Sequence, residues 1–225
     1  MSIKLVVFDM AGTTVSDENH VSLAFQLAMR NFGYALDLEE INPMMGYKKP
    51  VAIRMMLEKL NAGPEKLTDV FIEEIHAVFI SNMIRFYQGS PVIALPDVEE
   101  TFKELRKRGI KIGLNTGFSR DIAELIIERL DWAERIDILV ASDDVERGRP
   151  YPDMIHKMMS ELSVSRSEDI AKIGDTEVDV NEGINAGCKY VIGITTGAFK
   201  AEELALYHPT HIIDHMSELI PIITS

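Results

Sequence analysis

The sequence contains one cysteine, Cys188, so no disulfide can form within the chain. Sitting in the apolar stretch NAGCKY, it is expected to be a small buried side chain rather than a nucleophile. No apolar run approaches the roughly 20 residues of a membrane-spanning helix, and the N-terminal MSIKLVVFDM lacks the length of a secretory signal. The expected compartment is the cytoplasm, with no membrane partner. Positive charge is scarce: 23 Lys and Arg stand against 36 Asp and Glu, a net charge of −13 whose field repels nucleic acid and anionic lipid surfaces. A small phosphate ester is a different case, because screening removes distant charges while a nearby cation or helix N-terminus holds the anion. Repeats, low-complexity tracts and long linkers are missing as well, and the six histidines lack metal-ligand spacing.

What is present is ordinary globular usage, 46% hydrophobic and 26% charged, over 225 residues, enough for a large core domain or a core with a smaller insertion. Lys4 to Phe8 (KLVVF) reads as a buried strand. The next stretch, to about Arg85, reads as helices over roughly His20 to Asn31, Lys49 to Leu60 and Pro64 to Phe86, with Ser16 or Asp17 as the first cap. Its paired methionines, and the pair at 158 and 159, fit core positions at helical spacing. From Pro91 onward helices and strands alternate, with strands near Ile110 to Asn115, Asp137 to Ala141, Ile170 to Ile173, Tyr190 to Ile194 and His211 to Ile213. Alternation of this kind predicts an α/β fold, a doubly wound parallel sheet with right-handed crossovers. The expected domains are residues 1–15 plus 87–225 as catalytic core and residues 16–86 as a helical cap.

Parallel sheets bind ligands at the carboxyl ends of their strands. The loops after Phe8, Asn115, Ala141 and Ile173 should therefore converge; they read FDMAGTTV, LNTGFSR, SDDVERGRPYPD and IGDTEVDV. Phosphoryl transfer needs an in-line nucleophile, neutralised phosphoryl oxygens and a hard cation held by carboxylates. These loops supply all three: Asp9 as nucleophile, magnesium on Asp9, Asp175, Asp179 and the Ala11 carbonyl, and Arg149 as the neutralising cation. Thr116 and the Gly117 amide are candidates for the non-transferring oxygens, while Gly12 permits a tight turn beside a ligand next to the hydroxyl of Thr13. Each residue alone has a plainer reading, as a turn residue, helix cap or solvated charge. The plainer readings are mutually independent, whereas the catalytic one predicts all four loops together.

DMAGT, NTG, GRPYPD and GDTEVD resemble the four motifs of the haloacid dehalogenase superfamily, over nearly the whole chain. The resemblance implies a Rossmann-like core under a mobile cap, bound magnesium and turnover of an aspartyl-phosphate. Ordinary phosphatases of that superfamily carry an acid two positions after the nucleophile to protonate the leaving alkoxide, and this chain has Ala11 there. DMAGTT is similar to the phosphonoacetaldehyde hydrolase family, which also has alanine at that place and cleaves a carbon–phosphorus bond. There a cap lysine forms an imine with the substrate, and the imine nitrogen accepts the electrons of the breaking bond. MMGYKKPVAIR resembles the family's lysine motif, which makes Lys49 the imine-forming residue and aligns Met45 with a cap methionine at the substrate. Three positions depart from that pattern: Ala52 stands for histidine, Phe118 for tyrosine, and the tail TGAFKAEELALYHPTHIID looks more like phosphoglycolate phosphatases.

The expected substrate is a small phosphorylated or phosphonate metabolite, and the resemblance adds a homodimer formed through the cap. Rival readings are a phosphomonoesterase of the phosphoglycolate phosphatase type, an enzyme for acyl phosphates, whose leaving group needs no acid, and a phospho-accepting regulatory domain. Receivers of the last kind are much shorter and have no helical insertion after the first strand.

Overall fold

The computed structural model describes residues 2–224. Six parallel strands, β1 (Leu5–Phe8), β2 (Lys111–Thr116), β3 (Ile138–Ala141), β4 (Ile170–Gly174), β5 (Tyr190–Ile194) and β6 (His211–Ile213), form one sheet in the order β3-β2-β1-β4-β5-β6. In β1 successive side chains point to opposite faces, yet all four are buried. Val6 and Phe8 join a cluster with Phe102, Leu114 and Trp132, while Leu5 and Val7 pack with Met154, Ile155 and Met158. Burial on both faces is why the strand reads as a continuous apolar run, and why its partners are parallel strands covered by helices.

The helices are α1 (His20–Asn31), α2 (Leu38–Ile41), α3 (Lys49–Lys59), α4 (Asp69–Gly89), α5 (Val98–Lys107), α6 (Arg120–Leu130), α7 (Asp153–Glu161), α8 (Glu177–Ala186), α9 (Ala201–Ala205) and α10 (Leu219–Thr224). The first four follow β1 without a strand between them; α1 and α3 both pack on α4, with Phe25 and Phe79 in ring contact at 4.4 Å. Where the chain leaves and re-enters the sheet, Val15 bridges Ala94, and the Ser16 amide donates to the Ile93 carbonyl at 2.9 Å.

The α/β class and the parallel sheet stand as the sequence predicts. Two local details differ. The third cap helix starts at Asp69, not Pro64, because the Thr68 hydroxyl accepts from the Phe71 amide at 3.3 Å and caps it there, leaving Pro64–Lys66 as one 3-10 turn. That helix runs to Gly89, past the expected boundary at 86. Short α2, α9 and α10 were outside the predicted elements, since helices of 4 to 6 residues carry no readable period. No helix among the described residues is long and apolar enough to cross a membrane.

The strand order places the site. The chain winds outward from β1 through β2 to β3, then returns to β4 on the other side of β1, so the crevice at that reversal lies beside the end of β1.

Candidate active site

Phe8 pairs with Ile173 in register, and the Asp9 amide donates to the Ile173 carbonyl at 3.0 Å, so Asp9 and Asp175 leave adjacent strands side by side. Asp179 lies in the first turn of α8, which follows β4 directly. Asp9, Asp175 and Asp179 each offer an oxygen, and these atoms lie within 4.8 Å of one another, all buried. Gly12 has φ +84°, and a Cβ there would stand 2.6 Å from Asp175 Oδ2, so only glycine allows this turn. Thr13, expected at the substrate, is instead fully buried with its hydroxyl donating to Asp175 Oδ1 at 3.0 Å. Asp175 Oδ2 in turn accepts from the Ala198 amide at 2.7 Å.

Two buried cations balance this charge unevenly. Arg149 pairs with Asp9 at 2.7 Å and with Asp179, while Lys172 reaches Asp179 at 2.9 Å. Burial works against the Asp179 carboxylate, but Arg149 and Lys172 outweigh it and hold its pKa down at about 2. Asp9 is raised by burial, with Arg149 opposing. Asp175 is pushed well up, by burial and then by the charges of Asp9 and Asp179.

The opposite wall comes from the helical segment that follows β1, the expected cap. A small cavity of about 20 Å³ is lined by Asp9, Thr116, Gly117 and Arg149 on the core side and by Met45 and Lys49 on the cap side. Lys49 is 3% exposed at the start of α3, with its Nζ 5.0 Å from the ring centre of Phe118 and 5.6 Å from that of Phe25. Desolvation, reinforced by Arg149, lowers its pKa from 10.5 to about 8. The Thr116 hydroxyl accepts from the Phe118 amide at 3.1 Å, so Thr116 shapes its own loop as well as facing the cavity. Gly117 lies ahead of α6 rather than within it.

Cap and core are in close contact here. The Tyr47 hydroxyl donates to Glu177 at 2.7 Å, and Lys48 Nζ donates to the Val145 carbonyl at 3.3 Å. A Cβ on Gly117 would come within 2.5 Å of the Tyr47 carbonyl oxygen and 2.7 Å of that of Gly46. Gly117→Ala is expected to hold the cap about an ångström off and lower kcat/KM by at least about tenfold with little change in Tm. Steady-state kinetics with thermal denaturation checks this, and unchanged kinetics would show that the glycine only completes a turn.

A family model of haloacid dehalogenase-like hydrolases matches residues 6–193. The chain belongs to this family. Among curated relatives, phosphonoacetaldehyde hydrolase of Bacillus cereus is 34% identical over 209 residues, covering 88% of this chain and 78% of that one. The Bacillus mycoides protein of the same name is 35% identical over 207 residues, with the same coverage. Among solved structures, a hydrolase from Pseudomonas syringae superposes with TM-score 0.87 at 20% identity over 98% of both chains. A phosphonoacetaldehyde hydrolase-like protein from Oleispira antarctica gives 0.84 at 23% identity, over 100% of this chain and 92% of the other. At these identities the structural likeness shows the fold alone.

Haloacid dehalogenase-like hydrolases are metal-dependent, and the acidic cluster fits such an ion. Its donors are oxygens, with no histidine or cysteine among them, which suits a hard divalent cation. Burial raises Asp175 most and repulsion from Asp9 and Asp179 adds to it; a cation there removes the repulsion. Three supporting residues of this haloacid dehalogenase-like site escaped the sequence reading. Lys172 Nζ donates to Asn115 Oδ1 at 2.9 Å and pairs with Glu182 at 3.4 Å, and Asn115 Nδ2 donates to both Glu182 oxygens. A lysine inside the otherwise apolar IAKIG strand, opposite carboxylates at 179 and 182 on one face of α8, was the signal available.

Proposed function

We propose that this phosphohydrolase is a magnesium-dependent phosphonatase that cleaves the carbon–phosphorus bond of phosphonoacetaldehyde, with residues 16–86 as its closing cap. The observation that carries this is Lys49. It is a buried lysine of lowered pKa across a small cavity from Asp9, in a site where Ala11 supplies no acid. Identity of 34% to a phosphonoacetaldehyde hydrolase supports the reading.

The neutral Lys49 amine adds to the aldehyde carbon, and loss of water leaves an imine. Asp9 then attacks phosphorus in line, and the carbon–phosphorus electron pair moves into the imine to give an enamine and aspartyl-phosphate. No acid is needed at the leaving carbon, because the imine nitrogen receives the charge. Water then releases phosphate from Asp9, while protonation of the enamine and hydrolysis of the imine return acetaldehyde and Lys49. Arg149, Thr116 and the Gly117 amide would hold the phosphoryl oxygens, and Met45 the carbon chain. Asp9, Asp175 and Asp179, with the Ala11 carbonyl, would hold magnesium, which when bound offsets the phosphoryl charge. Arg149 and Lys172 keep Asp179 ionised, and Thr13 donates to Asp175.

Phosphate release from phosphonoacetaldehyde, with phosphoglycolate alongside, tests the reading. Rapid release from the phosphonate, lost with a chelator and restored by magnesium, is expected. Release from the ester alone would overturn it.

A further inference from the structure

Residues 45–49 divide their contacts. Met45 and Lys49 line the catalytic cavity, while the three residues between them lie against loops of the core. Gly46 turns with φ +84°, a left-handed conformation that glycine adopts without strain. A Cβ there would stand 2.5 Å from Thr176 Oγ1, and the Thr176 hydroxyl donates to Asp179. The turn therefore rests directly on the loop that presents the acidic residues.

What attaches it there is the Tyr47 hydroxyl. It donates to Glu177 Oε1 at 2.7 Å, and Glu177 lies in the first turn of α8. A helix N-terminus favours a carboxylate at that place, and a hydroxyl bonded to a carboxylate holds more firmly than a neutral pair. Lys48 adds a longer bond on a flexible stem, from Nζ to the Val145 carbonyl at 3.3 Å. Neither Tyr47 nor Glu177 lines the catalytic cavity, so their bond lies outside the reacting groups. Its place in the chain gives it leverage. Tyr47 stands two residues from Met45 and two from Lys49, the first residue of α3, and a shift of about 1 Å at a reacting group is enough to cost about 10²-fold in rate.

Resting on the reading of residues 16–86 as a closing cap, we propose that Tyr47 and Glu177 form the latch of the closed state. Tyr47 is the positioning residue that sets Lys49 and Met45 against Asp9. When the bond breaks, the turn lifts from α8 and Lys49 meets water.

Two readouts on the magnesium-loaded protein test this in Tyr47→Phe, which removes only the hydroxyl, and in Glu177→Ala, which removes its acceptor. The first is acetylation of Lys49 by acetic anhydride, followed by peptide mass spectrometry with the exposed Lys103 as reference. Lys49 is 3% exposed, so it should react slowly in the wild type and about tenfold faster in each variant. The second is kcat/KM for phosphonoacetaldehyde or phosphoglycolate, whichever is turned over. It is expected to fall about tenfold in each variant and no further in the double variant, with Tm held within about 2 °C. Glu177→Gln, whose amide oxygen still accepts from Tyr47, should keep most of what Glu177→Ala loses. Additive losses in the double variant, Lys49 acetylation equal in all proteins, or a loss of activity matched by a fall in Tm overturns the latch. Where neither compound is turned over, acetylation alone decides. Turnover of the ester alone with both latch effects intact would remove the phosphonatase reading and leave the latch standing. Rapid phosphonate turnover with equal acetylation throughout would do the reverse.

Discussion

Asp9→Asn is expected to abolish phosphate release from every accepted substrate, lowering kcat by on the order of 10⁴-fold or more. The amide keeps the shape of the carboxylate but cannot attack phosphorus. The fold should survive, because Asp9 is buried and raised in pKa by that burial, so replacing its charge by a neutral group relieves desolvation. The variant should also fail to form an acid-labile phosphoprotein when wild-type protein is quenched mid-turnover and does form one. Retained turnover together with a labelled wild-type protein would move the nucleophile elsewhere. The phospho-accepting regulatory reading predicts something else, stable label on Asp9 in the wild type that persists for minutes, and persistence on that scale would favour it.

The second large effect lies at Lys49. Lys49→Met and Lys49→Arg are each expected to reduce phosphonoacetaldehyde turnover by about 10³-fold or more, since neither side chain can form the imine and a guanidinium is not deprotonated in this pH range. Borohydride added with the aldehyde should inactivate the wild type by reducing the imine and leave no adduct on either variant. The pH dependence follows from the amine. Its protonated form is inert, and with a pKa of about 8 the reactive fraction grows as pH rises, so kcat/KM should climb from pH 6 toward a plateau above 8. Magnesium bound at the triad adds positive charge and moves that limb lower.

The same lysine carries an expected stability effect. Its pKa falls from 10.5 in the unfolded chain to about 8 in the fold, so burying the ammonium costs stability in full below pH 8, and the cost fades between 8 and 10.5. Lys49→Met should therefore be more stable than wild type at pH 7, by about 1 to 3 kcal/mol. A flat pH profile with equal stability of wild type and variant would reduce Lys49 to an ordinary buried side chain.

The motif residues were legible because each loop follows a strand whose apolar run is unambiguous. Phe8, Asn115, Ala141 and Ile173 mark the strand ends, and parallel topology brings their loops together. The supporting network was less legible for a physical reason. Lys172 was absorbed into the apolar reading of its strand, and its partners Asn115 and Glu182 come from two other elements, so nothing local announced that three polar side chains satisfy one another. Thr13 illustrates the same limit, because a hydroxyl beside a nucleophile reads as a substrate contact until the packing shows Asp175 as its partner.

The sequence by itself determined the α/β class, the strand ends that carry Asp9 and Asp175, and the lack of an acid at Ala11, because these follow from residue type and period along the chain. Only the tertiary structure decided how Lys49 faces the site, through the packing of α1 and α3 on α4 and of the cap on the Gly117 loop. Burial, pKa and cavity shape depend on neighbours distant in sequence, and no periodicity encodes them.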